Sequence, residues 1–150
     1  MSISPNEFFK ENFMMNLFKK STTKQIGDVG EEYVVKFLKK NKYKIRECNF
    51  RKPYGEIDII AENKEYIVFV EVKTRHQNSL TRGTDAVDYK KQQKIIKTAL
   101  AYMSDKNNRD IKKSCRFDVC EVYVDKENLL LVSLNYYENA FQTEGYHAFY

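Results

Sequence analysis

The chain has no tryptophan, two histidines, three cysteines, two prolines and five glycines in 150 residues. Each scarcity removes a class of protein. Cys48, Cys115 and Cys120 are odd in number and widely spaced, so they draw neither a disulfide framework nor a paired Cys-x-x-Cys zinc motif. Cys115 and Cys120 fall five apart in a segment that reads as a strand and should point to opposite faces. His76 follows an apolar strand into a polar loop, and His147 sits in an aromatic tail. Neither has a companion imidazole with metal-ligand spacing. No apolar run approaches the length of a membrane-spanning helix. The first residues lack the basic, then apolar, then small-residue order of a secretory signal. The expectation is a reduced, cytoplasmic protein with no membrane segment.

What is present is a basic, aromatic, globular composition. The hydrophobic fraction is 42% and the aromatic fraction 14%, enough for one genuine core at this length. Lys and Arg number 26 against 21 Asp and Glu, a formal charge of +5 and a pI near 9.0. That excess is compatible with a polyanionic partner without requiring one.

Residues 1–22 form a segment of their own, with Phe8, Phe9, Phe13, Met14, Leu17 and Phe18 at mixed helical spacing, an expected short amphipathic extension. The periodicity predicts a helix over residues 23–40, with Gly27 and Gly30 marking the close approach of another backbone. Alternating strands follow at 43–50, 56–61 and 65–75, with a polar turn at 62–64. A polar loop over 76–85, a helical pattern over 86–104 and strands at 116–124 and 129–134 complete the order. Residues 142–150 read as a tail. The reading is a single α/β domain over 23–141, with a mixed central sheet flanked by helices.

Buried strands rarely hold charge unless it is paired or bound to metal. Yet the hairpin arms carry Glu56, Asp58, Glu71, Lys73 and Arg75 around the apolar run Ile67–Val70. Alternation sets Glu56 and Asp58 on one face of the first arm, and Glu71, Lys73 and Arg75 on one face of the second. Pairing Ala61 with Tyr66 would bring Glu56 opposite Glu71, with Asp58 on the diagonal. Clustered carboxylates repel one another unless a cation neutralises them, and hard oxygen ligands favour Mg²⁺ or Mn²⁺. A lysine two residues past a ligating glutamate can orient water or stabilise charge on a phosphate. The competing reading is a set of surface salt bridges, against which the apolar density of 66–72 argues. On the first helix, position 31 lies at the edge of the apolar stripe and position 32 on the polar side, so helical phase selects Glu31.

These motifs are G-D-V-G-E at 27–31, G-E-I-D-I-I-A at 55–61 and V-F-V-E-V-K-T-R at 68–75. With Asn49, Arg51, Ala86-Val87, Lys91, Arg116-Phe117-Asp118 and Asn139-Ala140-Phe141, the ordered set closely resembles the YraN-like family of small bacterial predicted endonucleases. The resemblance spans roughly residues 23–141. It implies a restriction-endonuclease-like αβββαβ core, similar to Holliday junction resolvases and the PD-(D/E)-x-K superfamily. It further implies Asp58 and Glu71 as metal ligands, Lys73 as the catalytic lysine and Glu31 as the helix acid. The function expected is a Mg²⁺-dependent endonuclease acting on DNA, branched or damaged, with Glu56 and Arg75 in support. The alternative is a non-catalytic nucleic-acid-binding protein that keeps the fold. Lys91, which matches a family position, Lys94 on the same helix and Arg82 in the loop are the candidate phosphate contacts. A solvated helix face explains the lysine row equally well on composition. A homodimer is the expectation from fold analogy alone.

Overall fold

The structure is a computed structural model that describes residues 21–79 and 87–143. The amphipathic leader up to residue 20, Arg82 and the tail from residue 144 lie outside the described residues.

Helix α1 (Thr23–Lys40) begins at a reciprocal cap: Thr22 Oγ1 accepts from the Gln25 amide, and the Thr22 amide donates to Gln25 Oε1 at 2.8 Å. Three strands follow, β1 (Lys44–Lys52), β2 (Gly55–Glu62) and β3 (Tyr66–His76). Helix α2 (Tyr89–Ser104) is capped by the Asp88 carboxylate, which accepts from the Lys91 amide. A 3₁₀ turn (Lys106–Asn108) leads to β4 (Ser114–Val124) and β5 (Leu131–Phe141). The sheet order is β1-β2-β3-β4-β5, antiparallel except for the parallel β3–β4 pair that flanks α2 in sequence. This is the mixed α/β sheet expected, with β3 at its centre. Among the described residues, no helix is long and apolar enough to cross a membrane.

Among the described residues, each face of the sheet carries one helix. Val34 and Leu38 of α1 pack with Ile59, Ala61, Val68, Val70, Cys120 and Val122. On the other face, Ile95, Ile96, Ala99 and Tyr102 of α2 pack with Ile57, Ile60, Ile67, Phe69, Phe117 and Val119. Cys115 joins the second cluster and Cys120 the first, so they point to opposite faces as the alternation predicts. Burial holds both thiols protonated, pushed up to about 11 and about 12 respectively.

Gly30 is the point where α1 meets the sheet: a Cβ there would collide with the Thr74 side chain on β3. Gly27 meets nothing within 4 Å, so the expected close approach holds at Gly30 alone, and against a side chain instead of a backbone.

Two expectations are corrected. The β2–β3 turn lies one residue later than the polar triplet 62–64 suggests. Asn63 Oδ1 accepts from the amides of Glu65 and Tyr66, and the Asn63 amide donates to the Tyr66 carbonyl. The tight turn therefore spans Lys64 and Glu65, and the register becomes Ala61 with Val68 instead of Ala61 with Tyr66. The shift is two residues, so the paired stretch Ile59 to Glu62 keeps its faces. The last strand runs over 131–141 instead of 129–134. Its second half, Asn135 to Ala140, is polar and mostly exposed, because an edge strand is held by backbone pairing to β4 and needs no apolar alternation.

Candidate active site

The site lies at a fork between β2 and β3. Their ladder ends at the Ile59–Val70 pair, and the next positions along are Asp58 and Glu71. Asp58 replaces the lost ladder bond with its side chain, since its Oδ2 accepts from the Val72 amide at 2.7 Å. Strand alternation is also interrupted here. Ile57 and Ile60 both face α2, while Ile59 and Ala61 face α1. On the neighbouring β1, Asn49 takes a left-handed conformation (φ 54°) beside this stretch. A short bend thus sets Asp58 at the mouth of the fork, within electrostatic reach of both helices.

From α1, Glu31 reaches toward the fork and is held by Asn49, whose Nδ2 donates to its Oε2 at 2.9 Å. Glu32 is exposed, as helical phase predicts. From α2, Lys91 Nζ lies 3.4 Å from Glu71 Oε1. Lys73 follows Glu71 by two residues on the same face of β3, and its charge acts on the Glu71 carboxylate. The fork therefore joins Asp58, Glu71 and Lys91, with Glu31 and Lys73 at its margins.

The other expected residues are placed less centrally. Glu56 is exposed and pairs with Arg51 at 3.3 Å, although its charge is still felt at Asp58. Arg75 is turned along the sheet toward Glu121 on β4, with a contact of 3.9 Å. Lys94 is exposed on α2, three residues beyond Lys91.

Glu121 and Asn49 are functional candidates that residue-level reasoning passed over. Glu121 is 3% exposed, stands beside Lys73 in the parallel register, and accepts from the Tyr137 hydroxyl at 3.4 Å. The signal was there: an acid within the apolar stretch Val119 to Val124 of β4 obeys the rule that singled out Asp58 and Glu71. Asn49 gave no such signal beyond its place among the resembling motifs, because a left-handed conformation is not visible in alternation.

The electrostatics are those of crowded carboxylates. Burial raises the Glu31 carboxyl above its usual range, reinforced by Asp58 and opposed by the Asn49 hydrogen bond. Burial also raises Asp58, against the Val72 amide and Lys91. Glu71 is pushed up to about 7 by burial and by the neighbouring Asp58 charge. Its Oε2 is buried with no hydrogen-bond partner.

This has a measurable consequence for the metal-free protein. A carboxyl whose folded pKa is raised favours folding while it is protonated, below its unfolded value near 4.5. That stability is lost as pH rises through about 7. Relative to Glu71→Gln, the wild-type chain should therefore lose about 2 kcal/mol of unfolding free energy between roughly pH 5 and pH 8. Each tenfold gain in proton affinity on folding is worth ~1.4 kcal/mol, and the proton shared with Asp58 reduces the total. Urea denaturation of both proteins in EDTA checks it; parallel pH curves would show that Glu71 is not strained. The comparison with the variant is needed because Glu31 and Asp58, whose carboxyls are also raised, give a slope of the same sign.

Among the described residues, no three His, Cys, Asp or Glu side chains converge as a ready-made metal cage. The donor set nonetheless suits one cation class. Mg²⁺ is commonly held by one or two carboxylates, with water and substrate phosphate completing its octahedron. Asp58, together with the unpartnered oxygen of Glu71, offers that minimum.

Residues 30–122 match the family described as Uncharacterised protein family UPF0102. A UPF0102 protein of Caldanaerobacter subterraneus subsp. tengcongensis is 46% identical over 123 residues, covering 82% of this chain and 99% of its own length. One from Clostridium acetobutylicum is 44% identical over 79% of this chain and 95% of its own. One from Clostridium beijerinckii is 38% identical over 82% and 98%. These names state a family and no activity. On these matches the chain belongs to the UPF0102 family, the family of YraN-like proteins.

Proposed function

We propose that this protein is a Mg²⁺- or Mn²⁺-dependent endonuclease acting on DNA, with Asp58 and Glu71 as the metal ligands. The observation that carries the reading is the forked pair itself. Two half-buried carboxylates stand side by side, one of them with a buried oxygen that no donor satisfies, and a lysine follows on the same face. A cation bound there would activate a water and stabilise the charge of the scissile phosphate.

The protein groups have distinct tasks. The Val72 amide fixes the Asp58 carboxylate, so that one ligand is aimed before any cation arrives. Lys91 offsets the Glu71 charge and shares the rim where a phosphate would enter. Lys73 donates to a non-bridging phosphate oxygen as negative charge builds. Glu31, held by Asn49, orients water from the α1 side. The net positive charge of the chain favours a polyanionic substrate.

The test is incubation of the pure protein with linear, nicked and four-way-junction DNA in Mg²⁺ or Mn²⁺. Cleavage of at least one substrate is expected from the wild-type chain and none from Asp58→Ala. Salt-sensitive binding without cleavage in any metal would overturn the reading in favour of a binding protein that keeps the nuclease fold.

A further inference from the structure

The end of the β1–β2 hairpin, Arg51 to Gly55, is exposed from Arg51 to Tyr54 but does not stand free of the rest of the fold. It lies against α2, and Gly55 is the reason. A Cβ at that position would meet Thr98 Oγ1 at 2.7 Å and the Lys94 carbonyl oxygen at 3.1 Å. Between turn and helix runs a cleft of about 350 Å³, lined by Arg51, Lys52, Pro53, Tyr54, Gly55, Glu56, Lys91 and Lys94. The lining holds four cations and one carboxylate, and that carboxylate is the exposed Glu56, in an exchangeable surface pair with Arg51. Lys97 extends the positive row and lies 4.4 Å over the Tyr54 ring, and Lys52 lies 5.3 Å over Phe50. Aromatic rings thus steady two of the long side chains and reduce the entropy lost when they meet a ligand.

Like charges on two elements locked in contact cannot separate to relieve their repulsion, so the arrangement is stabilised by a bound polyanion. The cleft is also continuous with the fork, since Lys91 belongs to both: it lines the cleft and contacts Glu71. We propose that this cleft is the track for a nucleic-acid backbone. Arg51, Lys52 and Lys94 hold phosphates of the strand that Lys91 delivers to Asp58 and Glu71. This deepens the nuclease reading and takes the class of ligand from it. The β1–β2 turn thereby becomes a substrate-binding element and not only a connection.

Four phosphate contacts predict a slope of log K against log salt of about −3.6 for duplex DNA and about −2.8 for a single strand. The experiment is fluorescence anisotropy with the full chain in EDTA, across a salt series. The probes are duplex DNA, single-stranded DNA and duplex RNA of equal length, with polyglutamate as a non-nucleic polyanion. The double variant Lys52→Ala/Lys94→Ala is compared with Lys39→Ala/Lys40→Ala, which removes the same charge from the far end of α1. The cleft variant should flatten the duplex slope by about 1.8 and, with the lines meeting near 1 M salt, weaken binding about 60-fold at 0.1 M. The control variant should keep the wild-type slope, and both should keep the wild-type thermal midpoint. Equal losses in the two variants, no loss in either, wild-type binding to polyglutamate as tight as to nucleic acid, or no wild-type binding to any nucleic acid would each overturn the proposal. The nuclease reading fails independently: a cleft variant that loses binding, in a protein that cleaves nothing in any metal, leaves the track standing without the hydrolysis.

Discussion

Lys73→Ala is expected to lower the rate of DNA cleavage about 100- to 1,000-fold at saturating substrate, with DNA affinity little changed, the range for removing one preorganised donor to a developing oxyanion. Three placements support this. Lys73 follows Glu71 by two residues on the same strand face, its charge is felt at that carboxylate, and β4 presents Glu121 beside it in register. A cation so placed meets little new charge in the bound ground state and more in the transition state, so its loss should fall on kcat and not on KM. Lys94→Ala, in the cleft outside the fork, should show the opposite split. Lys73→Arg should rescue poorly, because a planar guanidinium cannot replace a compact ammonium as a point charge beside two acids. Single-turnover cleavage with pre-bound DNA reads the chemical step directly. An unchanged single-turnover rate in Lys73→Ala would remove that residue from the chemistry.

The parts of the fold that were legible in the sequence are those governed by periodicity. The bounds of α1, the hairpin, the central apolar strand and the order of elements all follow from spacings of apolar residues. Glu31 was separable from Glu32 by helical phase alone, and the structure turns the first toward the fork and leaves the second exposed. What was not legible depends on backbone geometry that side-chain patterns do not encode. The β2–β3 register was set by the Asn63 side chain capturing two amides, which moved the turn by one residue and the pairing by two. The interrupted alternation of Ile57 to Ile60 could not be read from β-branched residues that suit either face. That irregularity lifts Asp58 out of the ladder. A sequence reading could put Asp58 and Glu71 on one side of the sheet but could not show the strands parting between them.

The basic cleft was hidden for another reason. Arg51, Lys52 and Tyr54 fall between the strands expected at 43–50 and 56–61, and Lys94 on the face of a helix. Only the contact of Gly55 with α2 joins them into one surface. Charge in a sequence is distributed by residue, whereas binding depends on charge per unit of surface after folding.

Asp118→Ala is expected to destabilise the chain by about 3–5 kcal/mol, enough to unfold a marginal domain near 37 °C. Asp118 is fully buried, and donors from Arg116, Tyr136 and Asn139 converge on it. Arg116 approaches through Nε at 2.9 Å and Nη2 at 2.7 Å, Tyr136 donates its hydroxyl at 2.7 Å, and the Asn139 amide donates at 2.8 Å. The last of these belongs to a bulge in β5, where Asn139 takes a left-handed φ of 51° and the register with β4 shifts between Phe117 and Val119. Arg116 in turn stacks over Tyr66 at 5.0 Å and donates to the Tyr43 hydroxyl at 2.9 Å. Truncating the aspartate leaves a buried guanidinium, a phenol and an amide without their acceptor at once, and each carries its own desolvation cost. Asp118→Asn should recover only part of the loss, because its amide nitrogen would face Arg116 donor to donor. The Arg116→Met/Asp118→Leu double variant should be less destabilised than Asp118→Ala, since removing both charges leaves no buried ion unpaired, and Glu138, the other partner of Arg116, is exposed. Urea midpoints of the three proteins decide the matter, and a double variant worse than the single would show that the carboxylate is needed chiefly by Tyr136 and the β5 bulge. Arg116-Phe117-Asp118 resembles the family as closely as the fork does, yet Arg116 opens on the opposite end of the sheet, beside Tyr43, Asn63 and Glu138. Its acid is saturated with donors, whereas Glu71 keeps a buried oxygen without one. That difference in satisfaction separates an acid that holds strands together from the acids to which the proposed nuclease reading assigns a cation.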